Sequence, residues 1–282
     1  MSIEKVSATS FIAMTIGLVL AIAVPIAIAL IWKFKKKERF TTVLIGAATF
    51  LLFAIVLEKP IQNVLIIPSA FGLPEHALSK FVSARPVLWG ILVGFFPGLF
   101  EETGRFVAFK TILRKRINRE TGVSHGIGHG GFEVIFILGV TFLEYIIYGV
   151  MINTGLIDTV ISQVSAQAPG QLATVYEQLN GIAAFGFAEL GLMIFERIFA
   201  VLYHVGASML VFYAARDKDK LWLYPLAIII HTVMDGILGL NIAGVYILPA
   251  VAIEAVVVVG GLATFLCAYF LLYRKDPNRV TK

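Results

Sequence analysis

Seven stretches of the chain are apolar almost without interruption, and most of the charge lies between them. They run over about 9–32, 41–66, 87–113, 124–152, 182–214, 221–240 and 245–272. Each reaches or exceeds the roughly 20 residues an α-helix needs to cross a ~30 Å hydrocarbon core. The pattern predicts an all-α, polytopic membrane protein of about seven transmembrane helices, forming a single integral membrane domain over 1–282. The longer runs imply tilt, kinks or protruding ends. The first run is too long for the core of a signal peptide. It meets the basic stop "KFKKK" without a small-residue cleavage site, so it reads as a span.

The polar connections sort by charge. "KFKKKER", "RKRINR", "RDKDK" and "YRKDPNR" are basic, whereas the segment from Asn153 to Asn180 contains neither Lys nor Arg. Between Pro68 and Pro86 only Lys80 and Arg85 are basic. The positive-inside rule then places the N-terminus outside and the C-terminus in the cytoplasm, which seven spans satisfy.

Composition agrees: 59% of the 282 residues are hydrophobic and 15% charged, with a mean hydropathy of +0.88. The net charge of +5 does not point to nucleic acid, because the basic residues sit at span ends where bilayer orientation accounts for them. The lone cysteine, Cys267, excludes an intramolecular disulfide and any multi-cysteine zinc site; it reads as a small packing residue.

Against this background, ionisable residues inside the spans stand out. Span three carries Glu101, Glu102 and Arg105, and span four His125, His129, Glu133 and Glu144. Span five carries Glu189, Glu196, Arg197 and His204, span six His231 and Asp235, and span seven Glu254. Charge at membrane depth costs at least about 2.5 kcal/mol for Asp, Lys or Arg, so such residues are by default functional candidates. Glu101 lies 13 positions before Arg114, His129 and Glu133 lie 10 and 14 after Arg119, and His204 lies 12 before Arg216. His231 and Asp235 lie 11 and 15 after Lys220. At 1.5 Å per residue, all fall about 15–22 Å from the basic flank, near mid-membrane.

Spacing adds a second constraint. Glu101 and Arg105, His129 and Glu133, and His231 and Asp235 are each four apart and share a helix face. Glu101 and Glu102 point about 100° apart, so one would face a site while the other pairs with Arg105 or a neighbour. Each residue also has a structural reading. The Glu–Arg pair can be a buried ion pair, and His129 in "HGIGHGG" sits where glycines allow close helix approach. His204 can bridge helices by a hydrogen bond, and Arg197 can hold Glu196 or reach a carboxylate on the next helix. Glu144, Glu254, Glu189 and Glu196 read as packing residues.

The chemistry suited to such a layer is water activation. A carboxylate withdrawn from water is a competent general base, an imidazole can share its proton, and further donors can stabilise an oxyanion. Ser208, one turn after His204, is a weak nucleophile candidate. HExxH and GxxxxGK patterns are absent, and no GxGxxG follows a strand. Zinc on His129, His204, His231 and Glu101 is sterically open.

"EETGR", "RIFAVLYH" and "HTVMD", in that order, resemble the successive motifs of the glutamic-type intramembrane proteases. That clan holds the CAAX-processing and bacteriocin-processing (CPBP) membrane endopeptidases and the PrsW anti-sigma-factor protease. "HGIGHGGFE" resembles, more narrowly, the bacterial YhfC family of membrane peptidases. The similarity covers the motif-bearing core, about 87–240, with spans 9–32 and 245–272 flanking it. The resemblance implies that Glu101 activates water with His204, that His231 and Asp235 support the oxyanion or orient the carbonyl, and that Glu102 and Arg105 shape the pocket. The clan's glutamic mechanism needs no cofactor. The resemblance also implies a multi-pass protein of the bacterial plasma membrane whose substrate is a membrane-anchored protein or peptide. Two departures bear on these roles: "EETGR" has two residues between its glutamates and arginine where the CAAX branch has three, and Asp235 stands where many members have asparagine. His129 and Glu133 lie where PrsW-like members carry an acidic motif, which leaves their role open. The competing class is a proton-coupled or metal-ion transporter relaying ions through the same carboxylates and histidines; no duplicated half with paired broken helices speaks for it.

Overall fold

The computed structural model describes residues 2–280, and among them there is no β-strand. The chain runs through α1 (Ala8–Lys36), α2 (Phe40–Phe50), a π-helical stretch (Leu51–Glu58) and α3 (Lys59–Ile66). It continues through α4 (Ala77–Ser83), α5 (Pro86–Lys110), α6 (Glu120–Thr154), α7 (Ile157–Gln167) and α8 (Leu172–Ala184). The last helices are α9 (Phe187–Arg216), α10 (Leu223–Ile242) and α11 (Ala250–Ala268), the last continuing as a π-helical turn to Tyr273. Six of these helical segments are long and apolar enough to cross a membrane, and a seventh is obtained if α4 and α5, bent by 110° between them, count as one span. The protein is an all-α, multi-pass membrane protein.

Two expected span starts differ from the observed ones, and one connection is largely helical. The fifth span begins at Phe187 rather than near 182, because α8 ends at Ala184 and the Glu189 carboxylate accepts from the Gly186 N–H at 2.9 Å, securing the new start. The basic-free connection from Asn153 to Asn180 is not a bare loop, since α7 and most of α8 lie in it. The last span starts at Ala250 behind Pro249, and Asn241 Oδ1 accepts from the Leu248 N–H at 2.7 Å in the turn before it.

The described residues form two compact units. The first comprises Met1–Ile26 with Val134–Arg197, the second Ala27–Glu133 with Ile198–Lys282. In the first, Val6 and Asn153 exchange two 2.9 Å hydrogen bonds, and the ring of Phe142 fills the space a side chain at Gly17 would need.

The second unit holds the polar layer, and glycine stripes decide how its helices meet. On α5, Gly90, Gly94 and Gly98 recur every four residues and lie directly on α10. A Cβ at Gly90 would come within 2.7 Å of Leu240 backbone, and one at Gly98 within 2.7 Å of Thr232 Oγ1. Such stripes let backbones approach where lipid provides no hydrophobic drive. Continued by four, the stripe reaches Glu102, which therefore faces α10, while Glu101 turns about 100° away. On α6, Gly122, Gly126 and Gly130 bring α9 close; a Cβ at Gly126 would sit 2.5 Å from Val205 Cα. Gly128 opens another face to Val43 of α2. Every residue from Tyr203 to Ala215 of α9 is buried.

Pro97 lies inside α5 and has no N–H for the carbonyl of Val93. The buried side-chain amide of Gln62 donates to that carbonyl at 3.2 Å. Outward positions such as Leu44, Val56, Ile91 and Val233 stay apolar and exposed, as a surface solvated by lipid requires.

Candidate functional site

Glu101, Glu102 and Arg105 of α5, His125, His129 and Glu133 of α6, His204 and Ser208 of α9, and His231 of α10 are all buried in the second unit. Asp235, one turn after His231, is the open edge of the group, with its side chain 38% exposed.

Arg105 is the hub. One terminal nitrogen, Nη1, donates to Glu102 Oε1. The other, Nη2, lies 2.6 Å from His204 Nδ1 and 3.4 Å from Glu101 Oε2. A guanidinium has only donors, so His204 Nδ1 must accept. His204 therefore carries its proton on Nε2, the nitrogen that faces Glu133 Oε2. Glu101 Oε2 also lies 2.9 Å from His129 Nε2 and 3.9 Å from His204 Nδ1. On the α10 side, His231 Nδ1 lies 2.9 Å from the Glu102 oxygen that Arg105 holds, and donates to it; Nε2 faces Asp235 Oδ2 at 3.5 Å. The two adjacent glutamates thus divide their work by helix face. Glu101 meets α6 and α9, and Glu102 meets α10.

One carboxylate and two imidazoles converge here. Single donor atoms of Glu101, His129 and His204 all lie within 4.8 Å of one another. This donor set suits a zinc-type ion, and Glu133 on the far nitrogen of His204 is the outer carboxylate that such ligands commonly carry. His231, included in the sequence-based metal set, is not in this group, because its Nδ1 is committed to Glu102. Arg105 Nη2 contacts two of these three side chains, Glu101 and His204, so an ion held by the set would compete with the guanidinium for His204 Nδ1.

His125 bonds Ser208 Oγ at 3.2 Å and Thr49 Oγ1 at 3.3 Å, which ties α6 to α9 and α2. Arg197 belongs to the first unit and donates to its neighbour Glu196.

Two residues were not anticipated. Tyr203, beside His204 in sequence, is buried with its ring centroid 5.2 Å from His204 and 5.1 Å from His231. Its hydroxyl has no partner among the described residues. Glu58, in the π-helical stretch of the second expected span, is fully buried with Lys59 Nζ 3.4 Å away. Its position inside an apolar run was the signal for it.

Comparison with known proteins places this geometry. The family model described as "YhfC intramembrane metalloprotease" matches residues 20–258. The chain belongs to the YhfC family. It is 29% identical over 257 residues to the "Uncharacterized membrane protein YhfC" of Bacillus subtilis (strain 168), covering 90% of this chain and 93% of that protein. No solved structure matches. The family description covers nearly all of the second unit and with it every residue of the polar cluster.

Proposed function

We propose that the chain is an intramembrane peptidase whose hydrolytic centre is the Glu101–His129–His204 cluster, cutting a peptide bond of a membrane-associated protein or peptide. The observation that carries this reading is the convergence of one carboxylate and two imidazoles from three helices at a buried point, in a member of a family described as intramembrane metalloproteases.

Glu101 is the base. It takes a proton from the attacking water, and His129, 2.9 Å from Oε2, fixes the carboxylate's direction. His204, kept as the Nε2–H tautomer by Glu133 and Arg105, holds the guanidinium on its Nδ1 and so keeps Arg105 beside the Glu101 carboxylate. As the water oxygen adds to the scissile carbonyl, negative charge grows on the carbonyl oxygen. The unpartnered Tyr203 hydroxyl supplies a donor on that side, and His231, held by Glu102 and Asp235, packs edge-on against the Tyr203 ring and orients it. Glu101 then delivers its proton to the departing amine. If a zinc-type ion is bound, Glu101, His129 and His204 hold it, and it supplies a water acidic enough to ionise near neutral pH. Asp235 lies where the cluster is open, and is where an extended substrate backbone would enter.

The test compares new protein N-termini in membranes from cells producing the wild type or Glu101→Gln. The reading predicts termini within or beside transmembrane segments that vanish with Glu101→Gln while the variant still accumulates in the membrane. Identical termini in both would remove Glu101 from the chemistry. Ion flux in proteoliposomes that depends on Glu101, without such termini, would assign the cluster to transport instead.

A further inference from the structure

Away from the polar layer, at one end of the second unit, lies a cavity of about 1030 Å³. It is framed by the α1–α2 turn, the α5–α6 connection and the C-terminal tail. Its walls carry Lys37, Arg39, Lys110, Arg114, Lys115 and Arg279, together with Arg116. Only one carboxylate, Glu38, lies among them, and it is buried, accepting from Thr42 and Thr121.

Span-end lysines and arginines are expected on one membrane face. What that rule does not explain is how the acids on this face are distributed. Arg119 pairs with Glu120, Arg216 with Asp217 and Asp276, and Lys220 with Asp217. Those three cations lie outside the cavity. Among the described residues, the six named cations that line it make no ion pair, although three separate segments bring them together. Arg116 is bound by threonine hydroxyls, not by an acid. Burial lowers its pKa, Glu38 opposes the shift, and the like charge of Arg39 adds to it.

The cavity is also built to persist. The Arg119 N–H donates to Asn278 O at 2.8 Å, and the Val280 N–H donates to Glu120 Oε2 at 3.1 Å, so the tail holds Arg279 in place. Lys37 turns the chain with φ 57°, a left-handed conformation costly for a lysine, immediately before Glu38 and Arg39. α2 starts beside the cavity with no side chain capping its first turn, so its positive dipole end adds to the field. Ile112, 70% exposed, and Ile117, 57% exposed, line the same cavity, giving it an apolar lip next to its cations.

We infer that this cavity binds the phosphate-bearing headgroup of an anionic phospholipid. Unpaired cations converging at the ends of membrane spans match the charge of such a headgroup. The exposed isoleucines favour a lipid over a soluble phosphate, because acyl chains can cover them.

The experiment follows thermal unfolding of the purified full chain in neutral detergent. It is titrated with phosphatidylglycerol, with phosphatidylcholine and, separately, with inorganic pyrophosphate. Phosphatidylglycerol raises Tm to saturation and phosphatidylcholine does not. The exposed-residue variant Arg114→Gln/Lys115→Gln/Arg279→Gln weakens the apparent lipid affinity roughly fivefold per charge, on the order of a hundredfold in all. Lys218→Gln/Arg274→Gln/Lys275→Gln removes as much charge from the same face outside the cavity and stays within a few-fold of wild type. Equal losses in the two variants, or no response to phosphatidylglycerol, overturn the site. Stabilisation by pyrophosphate with no further gain from phosphatidylglycerol overturns the lipid assignment in favour of a soluble phosphate.

Discussion

Arg105 links two glutamates and a histidine through two nitrogens of a planar fork, a geometry lysine cannot reproduce. Removing it strands buried carboxylates, a loss of about 3–5 kcal/mol where nothing else neutralises them. Arg105→Gln is therefore expected to lower Tm sharply as well as abolish cleavage, which thermal unfolding reads directly. Glu133 is a different case, because it acts through His204. Glu133→Gln keeps the fold and lowers cleavage about 10–100-fold, as measured for groups that orient a site's first contacts. The sequence made the shared face of Glu101 and Arg105 legible, since their spacing of four fixes it. The same spacing identified His231 with Asp235, which the structure places 3.5 Å apart. It did not reveal that Glu133 would meet His204 of α9 or that Glu101 would meet His129 of α6. Those contacts cross between helices and depend on how the helices pack, which no local spacing encodes. Tyr203 stayed hidden for the same reason: a tyrosine in an apolar run is indistinguishable from core until its neighbours are known.

At the scale of elements, the close approach of α5 and α10 sets the distance between Glu102 and His231. A Cβ added at Gly94 would overlap the backbone nitrogen of Gly236. Gly94→Ala should cost about 1–3 kcal/mol, typical of overpacking, and reduce cleavage along with Tm. Gly139→Ala on α6 adds a Cβ into open space and should leave cleavage unchanged while raising Tm slightly. Gln62→Leu leaves the Val93 carbonyl, already deprived of a donor by Pro97, without its side-chain partner; a loss of about 1–3 kcal/mol is expected in chemical unfolding. The spans themselves were readable because a run of twenty apolar residues has few other uses. Their ends were less so, since a break such as that between α8 and α9 rests on a single cap at Gly186. The helices α7 and α8 were missed because short polar segments carry no membrane signal.

For the molecule as a whole, the asymmetry of basic residues supports the proposal that the C-terminus and the basic cavity face the cytoplasm. The same end of the second unit is closed by Asp276, which accepts from Tyr213 and Arg216. Burial alone would raise the Asp276 pKa, but the hydrogen bonds from Arg216 and the Asn278 backbone outweigh it and hold it below the ordinary value of 3.8. A carboxylate with a depressed folded pKa stabilises the fold at pH values above its unfolded pKa, and that stability is lost as pH falls through the folded one. Tm should therefore be flat near neutrality and fall below about pH 4, whereas Asp276→Asn starts lower and falls less. The account stands or falls on Glu101, His129 and His204 acting as one unit, which single-turnover cleavage of a substrate found in the N-terminus comparison measures most directly. Groups that share one step lose their effect together. Glu101→Gln, His129→Ala and the double variant should be equally inactive while each remains folded. A single variant that keeps the wild-type rate, or losses that multiply in the double variant, would contradict it.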